Sequence, residues 1–275
     1  MGSKSSYTSS FAAIYDDIME RVPYYYWYQY LNHILYYYDK NPGNIMELAC
    51  GTGNMMKYFS NKAKKICGID KSEDMLAIAQ NKFSGNKNVK LFNTDMSKKI
   101  KYGNFNFIYS IFDSMNYILE FDELIKVFEN VYSNLDEDGI FVFDINTEYR
   151  LMDIVEGTKK LEGDFYTCYW RDIVDQENEE WIVELNIYLD QNDDIENFTE
   201  THVETSYPLK KIKEGLLNIG FKRVDYYRSF TFSKGESKND RVHFVALKQK
   251  PEVSRFGQIV TRIKWGFISL FISNF

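Results

Sequence analysis

Glu47, Gly51, Gly53, Asp70, Asp95 and Met96 are residue types that bind ligands, and they come in a telling order. The apolar run IMELA (45–49) leads into CGTGNMM (50–56). Glycines at such a turn let the backbone bend tightly and approach a ligand closely. A dinucleotide fold would want a third glycine, as G-x-G-x-x-G, to seat a pyrophosphate. Met56 stands there instead, and no GK[ST] follows to make a P-loop. The turn therefore suits a cofactor with an adenosine but no phosphates. Asp70 ends the next apolar run about 20 residues after the first glycine, where an acid accepts both ribose hydroxyls. In NTDM (93–96), Asp95 can accept from an adenine amino group while Met96 packs on the ring face. Acids often end strands merely as solubilising turn residues. Their succession at strand ends carries the signal.

The elements that must position them follow from periodicity. NIMELA (44–49), KICGID (65–70), VKLFNTD (89–95), FNFIYSIF (105–112) and GIFVFDI (139–145) read as strands. NMMKYFSN, DMLAIAQNKF and DELIKVFENVYSNL lie between them with helical spacing. Such alternation over about a hundred residues predicts an open parallel sheet. After Asn146, FYTCYWRDIVD, EEWIVELNIYLD and ENFTETHVETSYP read as three antiparallel strands. An amphipathic helix, LKKIKEGLLNIGF, follows and closes at Gly220. RVDYYRSFTF and RVHFVALK complete the domain as a hairpin.

The tyrosine-rich stretch PYYYWYQY (23–30) admits three uses: a stacking platform for bases or sugars, a lid, or helix core. Trp27, Tyr30, Leu31, Ile34 and Leu35 share one helical stripe, which favours core. Net charge also weighs against nucleic acid: it is −7, so the long-range field repels phosphates. With 44% hydrophobic and 27% charged residues, the chain is neither disordered nor an integral membrane protein by composition. Cys50, Cys67 and Cys168 lie far apart, forming neither a disulfide framework nor a zinc site, and a metal is not expected. No apolar signal segment follows the start, and a cytoplasmic protein is expected.

ELACGTGN, GIDKSEDML, NTDM and FDSMNYI, in that order, resemble the class I S-adenosylmethionine-dependent methyltransferases over roughly residues 7–248. YTSSFAAIYDDIM, with Tyr7 and Tyr15, and VPYYYW look like the opening of the bacterial small-molecule branch, which includes deoxyamino-sugar N,N-dimethyltransferases. The resemblance implies an α/β fold: a Rossmann-like seven-stranded sheet with helices on both faces and an antiparallel β insert, about 160–207, over the active site. One methyltransferase domain would span 1–250. It further implies that Glu47, Ala49, Cys50, Gly51 and Gly53 hold the methionine portion of S-adenosylmethionine, and that Asp70 takes the ribose between Lys71 and Met75. Asp95 and Met96 would frame the adenine, and Ile111 would offer backbone groups to the methionine amine. The segment Tyr7 to Tyr15 would be a helical lid, with Tyr24 and Trp27 near its mouth.

Methyl transfer from a sulfonium is an in-line displacement, so the protein mainly positions the acceptor and excludes water. An amine acceptor must be deprotonated, which a carboxylate, His or Tyr can assist. The position after the fourth strand reads IFDSMNYI, not the [ND]PP[FY] type used on base amines and glutamine amides. Asp113, Asn116 and Tyr117 are candidates there, with Asp144 and Asn146 after the fifth strand. Trp170, Arg171 and His202 are candidates from the insert, and Tyr7 from the lid. The catalytic set is Tyr7, Asp113, Tyr117 and His202. Phe165, Tyr166, Tyr169, Trp170 and Glu184 would suit a cationic or amine-bearing small molecule. The expected activity is methylation of a small molecule, at nitrogen ahead of oxygen, yielding S-adenosylhomocysteine. The alternatives are methylation of RNA or protein, or a non-catalytic cofactor-binding partner subunit.

Residues 251–275 lie beyond the resemblance. Phe256, Ile259, Val260, Ile263, Phe267, Leu270 and Phe271 share a helical face, and Arg255, Arg262 and Lys264 are its charges. The apolar end is too short for a bilayer, which needs about 20 residues. Packing on the domain or on a dimer partner is one reading. A peripheral helix on an anionic membrane is the other.

Overall fold

The computed structural model describes residues 9–99, 101–191, 194–250, 259–262 and 265–266. Two helices, α1 (Ser9–Ile18) and α2 (Tyr24–Tyr37), precede the sheet. The alternating part then runs β1 (Asn44–Leu48), α3 (Met56–Phe59), β2 (Lys65–Asp70), α4 (Glu73–Lys82), β3 (Val89–Asn93) and β4 (Phe105–Ser110). A 3-10 turn (Ser114–Tyr117), α5 (Phe121–Asn134), β5 (Leu135–Asn146) and α6 (Glu148–Met152) follow. The insert is β6 (Gly157–Gly163), β7 (Tyr166–Asp175), β8 (Glu180–Gln191) and β9 (Asp194–Thr205). Helix α7 (Leu209–Ile219) and the hairpin β10 (Arg223–Arg228), β11 (Arg241–Leu247) close the domain.

The seven-stranded sheet has the order β10-β11-β5-β4-β1-β2-β3. Strand β11 is antiparallel to both neighbours, and the pairs from β5 to β3 are parallel. This is the expected Rossmann-like sheet. Its chain order reverses between β1 and β4, and open α/β sheets bind ligands outside the carboxyl ends at such a point. Strand β4, and β5 from Gly139 onward, are almost continuously buried because helices cover both of their faces. On one face α2 buries Trp27, Tyr30, Leu31, Ile34 and Leu35, so this stripe of the tyrosine-rich segment is core. On the other, α5 contributes Leu124, Val127, Phe128 and Val131 at helical spacing, and α7 adds Leu209, Ile212 and Leu216. Gly220, at φ 131°, terminates α7 where a side chain would be strained.

The insert forms a separate antiparallel sheet in the order β6-β7-β8-β9. It has four strands, where sequence periodicity predicts three. Strand β6, GTKKLEG, is mostly exposed and lacks the apolar alternation that marks a half-buried strand. Cys168, Val183, Leu185 and Ile187 on its inner face pack against Phe11 and Ile14 of α1 and Met75 of α4. The insert thus rests on the first helix, beside the carboxyl edge.

Little of the C-terminal segment lies within the described residues; of its predicted stripe only Ile259 and Val260 do, and Val260 is half-buried. Ile259 is exposed, whereas Thr261 and Trp265 are buried. Trp265 stacks on Tyr26, with ring centroids 5.3 Å apart, and its indole N–H donates to the Phe230 carbonyl at 2.7 Å. Arg262 donates to the Tyr37 hydroxyl at 3.1 Å. Phe256, Ile263, Phe267, Leu270 and Phe271 lie outside the described residues. No helix among the described residues is long and apolar enough to cross a membrane.

Candidate active site

At the end of β1 the backbone enters the left-handed region at Ala49 (φ 51°), Gly51 (φ 52°) and Gly53 (φ 78°). Ala49 accepts a conformation that costs an L-residue about 1–2 kcal/mol, a kind of strain that clusters at functional sites. The two glycines differ in use. A Cβ on Gly51 would meet nothing within 4 Å, whereas one on Gly53 would lie 2.5 Å from the Phe83 ring. Gly51 borders open space; Gly53 lets the turn pack closely on α4. Met56, in place of a third glycine, is accommodated by Gly68 of β2. A Cβ there would lie 2.6 Å from the Met56 sulfur.

Asp70 joins three of these elements. Its carboxylate accepts the Gly51 N–H at 2.8 Å and the Ser72 N–H at 2.8 Å. Ser72 in turn caps α4 by accepting the Met75 N–H at 3.2 Å. Burial pushes the Asp70 carboxyl up, against the pull of those backbone donors. Glu47 and Tyr109 are direct partners across β1 and β4, and the Tyr109 hydroxyl donates to Glu47 Oε2 at 2.6 Å. Burial raises the Glu47 carboxyl to about 8; the Tyr109 hydrogen bond opposes the rise and the Asp70 charge adds to it.

These groups wall a cavity of about 210 Å³. Tyr15, Glu47, Ala49, Cys50, Gly51, Asp70, Lys71, Met75, Asp95, Met96 and Ile111 all line it, as does Tyr24. Gly53 stands behind the wall, and Tyr7 lies outside the described residues. Periodicity alone did not single out Asp16, which ties α1 to the glycine turn. Asp16 accepts from the Thr52 hydroxyl at 2.7 Å and the Asn54 amide at 2.8 Å, and pairs with Lys82 at 2.6 Å. Asp17 next to it accepts the hydroxyl of Tyr166 in the insert at 2.6 Å. Helix α1 is therefore held between the turn and the second sheet.

The candidates for chemistry separate into two groups. Tyr117 lines the cavity, with its hydroxyl 3.4 Å from His202 Nδ1. His202 is buried on the inner face of β9, and its Nε2 lies 3.3 Å from Glu200 Oε2. Asp113 does not join them. Successive left-handed residues, Phe112 (φ 60°) and Asp113 (φ 52°), turn the chain sharply after β4. The Asp113 carboxylate then pairs with Arg241 at 2.6 Å and accepts the Asn146 amide at 2.7 Å. Arg241 also binds Asp144, and Asn146 also donates to Glu204 at 3.2 Å. Burial holds Asp144 up to about 6 despite Arg241, and burial with the nearby Asp113 charge holds Glu204 well above the usual carboxylate range. Asn116 links the 3-10 turn to β5 and β9, donating to the carbonyls of Asn146 at 3.0 Å and Thr205 at 2.7 Å.

None of the insert residues expected on the pocket side lines the cavity. Phe165 and Tyr169 are exposed, and Arg171 pairs with Glu184 on the outer face at 3.2 Å. Strand alternation sends Tyr169 and Arg171 out while Tyr166, Cys168 and Asp172 point in. The Trp170 indole donates to buried Asp172 at 2.9 Å. Glu200 and Glu204 were not among the candidates; their place two residues either side of His202 in ETHVE was the available signal.

A family profile described as a methyltransferase domain matches residues 45–139. A putative methyltransferase of Bacillus subtilis, YqeM, is 28% identical over 246 residues, covering 89% of this chain and 98% of that protein. The crystal structure of an S-adenosylmethionine-dependent methyltransferase from Clostridium acetobutylicum superposes with a TM-score of 0.75. It is 28% identical and covers 86% of this chain and 97% of its own. The sugar N-methyltransferase KedS8 from Streptoalloteichus shares the fold, at a TM-score of 0.72 and 16% identity, over 90% of this chain and 98% of its own.

Proposed function

Since the chain is an S-adenosylmethionine-dependent methyltransferase of the class I fold, we infer that it methylates a small molecule, at nitrogen in preference to oxygen. The observation that carries this reading is the Tyr117 hydroxyl on the cavity wall, 3.4 Å from His202 Nδ1. A phenol backed by a buried imidazole suits an acceptor that must lose a proton before it can attack. The second sheet supports a small acceptor, because β9 packs on the 3-10 turn that carries Tyr117 and sets His202 behind that residue.

The cavity fits the cofactor. Gly51 leaves open space, and Glu47, Asp70 and Asp95 offer acceptors to an ammonium, ribose hydroxyls and an adenine amine. Glu47 through Gly51 would hold the methionine end, Asp70 the ribose beside Lys71 and Met75, and Asp95 with Met96 the adenine. Ile111 would offer its backbone to the methionine amine, and Tyr7 and Tyr15 would close over the site. The cofactor supplies an electrophilic methyl group. The protein's own residues then align the acceptor, exclude water and take its proton. That proton passes to the Tyr117 oxygen as the Tyr117 proton moves to His202 Nδ1, leaving a neutral amine as the nucleophile. Asp113, tied up by Arg241 and Asn146, shapes the loop instead of acting as the base.

Methyl-labelled cofactor, offered with small-molecule, RNA and protein fractions of a cell extract, tests this. Label should enter the small-molecule fraction, and NMR of the product should show an N-methyl group. Label in RNA or protein sinks the small-molecule reading. Cofactor binding with no labelled product in any fraction would instead favour a non-catalytic partner subunit. Tyr117→Phe and His202→Gln should each lower kcat by about 10²–10⁴-fold and leave S-adenosylhomocysteine affinity unchanged.

A further inference from the structure

Glu47 is a buried carboxylate in the cavity wall whose hydrogen-bond donor is a neutral phenol, Tyr109, at 2.6 Å. Among the described residues, the titratable groups that face it are Tyr109 from β4, Tyr24 from α2, Cys50 from the turn and Asp70 from β2. All of them are neutral or negative. Lys71 lines the same cavity but is solvent-exposed. A carboxylate removed from water without a cation is disfavoured, and a second carboxylate on the adjacent strand disfavours it further. The cofactor carries an ammonium, which supplies the missing charge.

We propose that Glu47 couples cofactor binding to a proton: it is a neutral acid in the ligand-free protein and ionises, releasing that proton, when the cofactor's ammonium enters the cavity. Binding then has a defined pH dependence. Affinity rises with pH while the free protein still holds the proton, and levels off near pH 8, where burial has placed this carboxyl. The Tyr109 hydroxyl donates to the ionised form as well and moderates the shift. The proposal rests on the cofactor and is independent of the acceptor.

The test is titration calorimetry of the full chain with S-adenosylhomocysteine at pH 7, in buffers of different ionisation enthalpy. Wild type should release roughly one proton per ligand, and its affinity should rise about tenfold from pH 6 to pH 7, where the ligand's ammonium stays protonated. Glu47→Gln should release none and bind with a flat pH dependence. Tyr109→Phe should still release the proton, with its affinity curve moved to higher pH. Release near zero in wild type, or equal release from wild type and Glu47→Gln, overturns the proposal. Neither result touches the acceptor assignment, since no acceptor is present. A protein that binds no S-adenosylhomocysteine overturns the proposal together with the cofactor pocket.

Discussion

Asp70 has a structural task besides its proposed ligand contact. Its carboxylate already holds the Gly51 and Ser72 amides, so it shapes the turn that it is also placed to complete. Charge-assisted hydrogen bonds are worth roughly 1.5–3 kcal/mol, so Asp70→Ala should weaken S-adenosylhomocysteine binding by about 10- to 100-fold by calorimetry. Asp70→Asn, with one acceptor oxygen left, should fall between. Unchanged affinity in a folded Asp70→Ala protein would remove Asp70 from the cofactor site. Buried acids also set how stability depends on pH. Glu47 stands at about 8 in the folded chain against an ordinary value of 4.5, so the folded state keeps a proton that the unfolded chain has lost. Stability therefore falls as pH rises through that window, by at most about 1.4 kcal/mol per pH unit. His243, which burial holds well below its ordinary 6.5, acts with the opposite sign, but only below that value. Urea denaturation of ligand-free protein should thus lose about 1–2 kcal/mol between pH 6.5 and 8. Glu47→Gln should flatten the loss. A rise over that range would show that these acids are not held neutral.

At the scale of elements, the glycine turn separates ligand space from packing. Gly51→Ala adds a side chain into open space at φ 52°, and Gly53→Ala drives one into the Phe83 ring at φ 78°. Both suffer backbone strain of about 1–2 kcal/mol. The Gly53 variant adds a collision with α4, so its Tm should fall further. Gly51→Ala should remain the more stable and still lose cofactor affinity, because its methyl projects toward the cavity. Thermal melts paired with calorimetry distinguish the two, and equal Tm losses would contradict the packing role of Gly53. Helix α1 behaves as a clasp by the same logic: Asp16 grips the turn and Asp17 grips the insert. One short helix so links the glycine turn to the second sheet.

Across the whole molecule, the aromatic face of α2 connects the sheet to the C-terminal segment. Trp265 is 2% exposed, lies against Tyr26, Tyr30 and His33, and donates its indole N–H to Phe230. Truncating a buried Trp to Ala typically costs about 3–5 kcal/mol. Trp265→Ala should therefore lower stability on that scale in denaturant titrations. Loss below about 0.5 kcal/mol, the range of surface substitutions, would mean that the segment does not rest on α2 in solution. Tail contacts with anionic vesicles or with a second copy are a separate question, to be read by co-sedimentation and by sedimentation equilibrium of protein with and without residues 251–275.

Much of the cavity wall was legible in the sequence because its determinants are local. A strand, a glycine turn and an acid at the next strand end lie within a few residues of the backbone they shape, so Glu47, Gly51, Asp70 and Asp95 could be found by order alone. The core stripe of α2 was equally legible, since helical period brings Trp27, Tyr30, Leu31, Ile34 and Leu35 to one face without tertiary information. The proposed acceptor side was decided by contacts between distant segments. Asp113 has the residue type of a base, yet Arg241, far along the chain, claims its carboxylate. His202 meets Tyr117 because the insert folds back onto the 3-10 turn, and β6 was missed because pairing with β7 holds it there without an apolar face of its own. Local periodicity reports which face of an element is buried. What that face meets depends on chain closure over long distances, and that is settled only when the two sheets and α1 pack together.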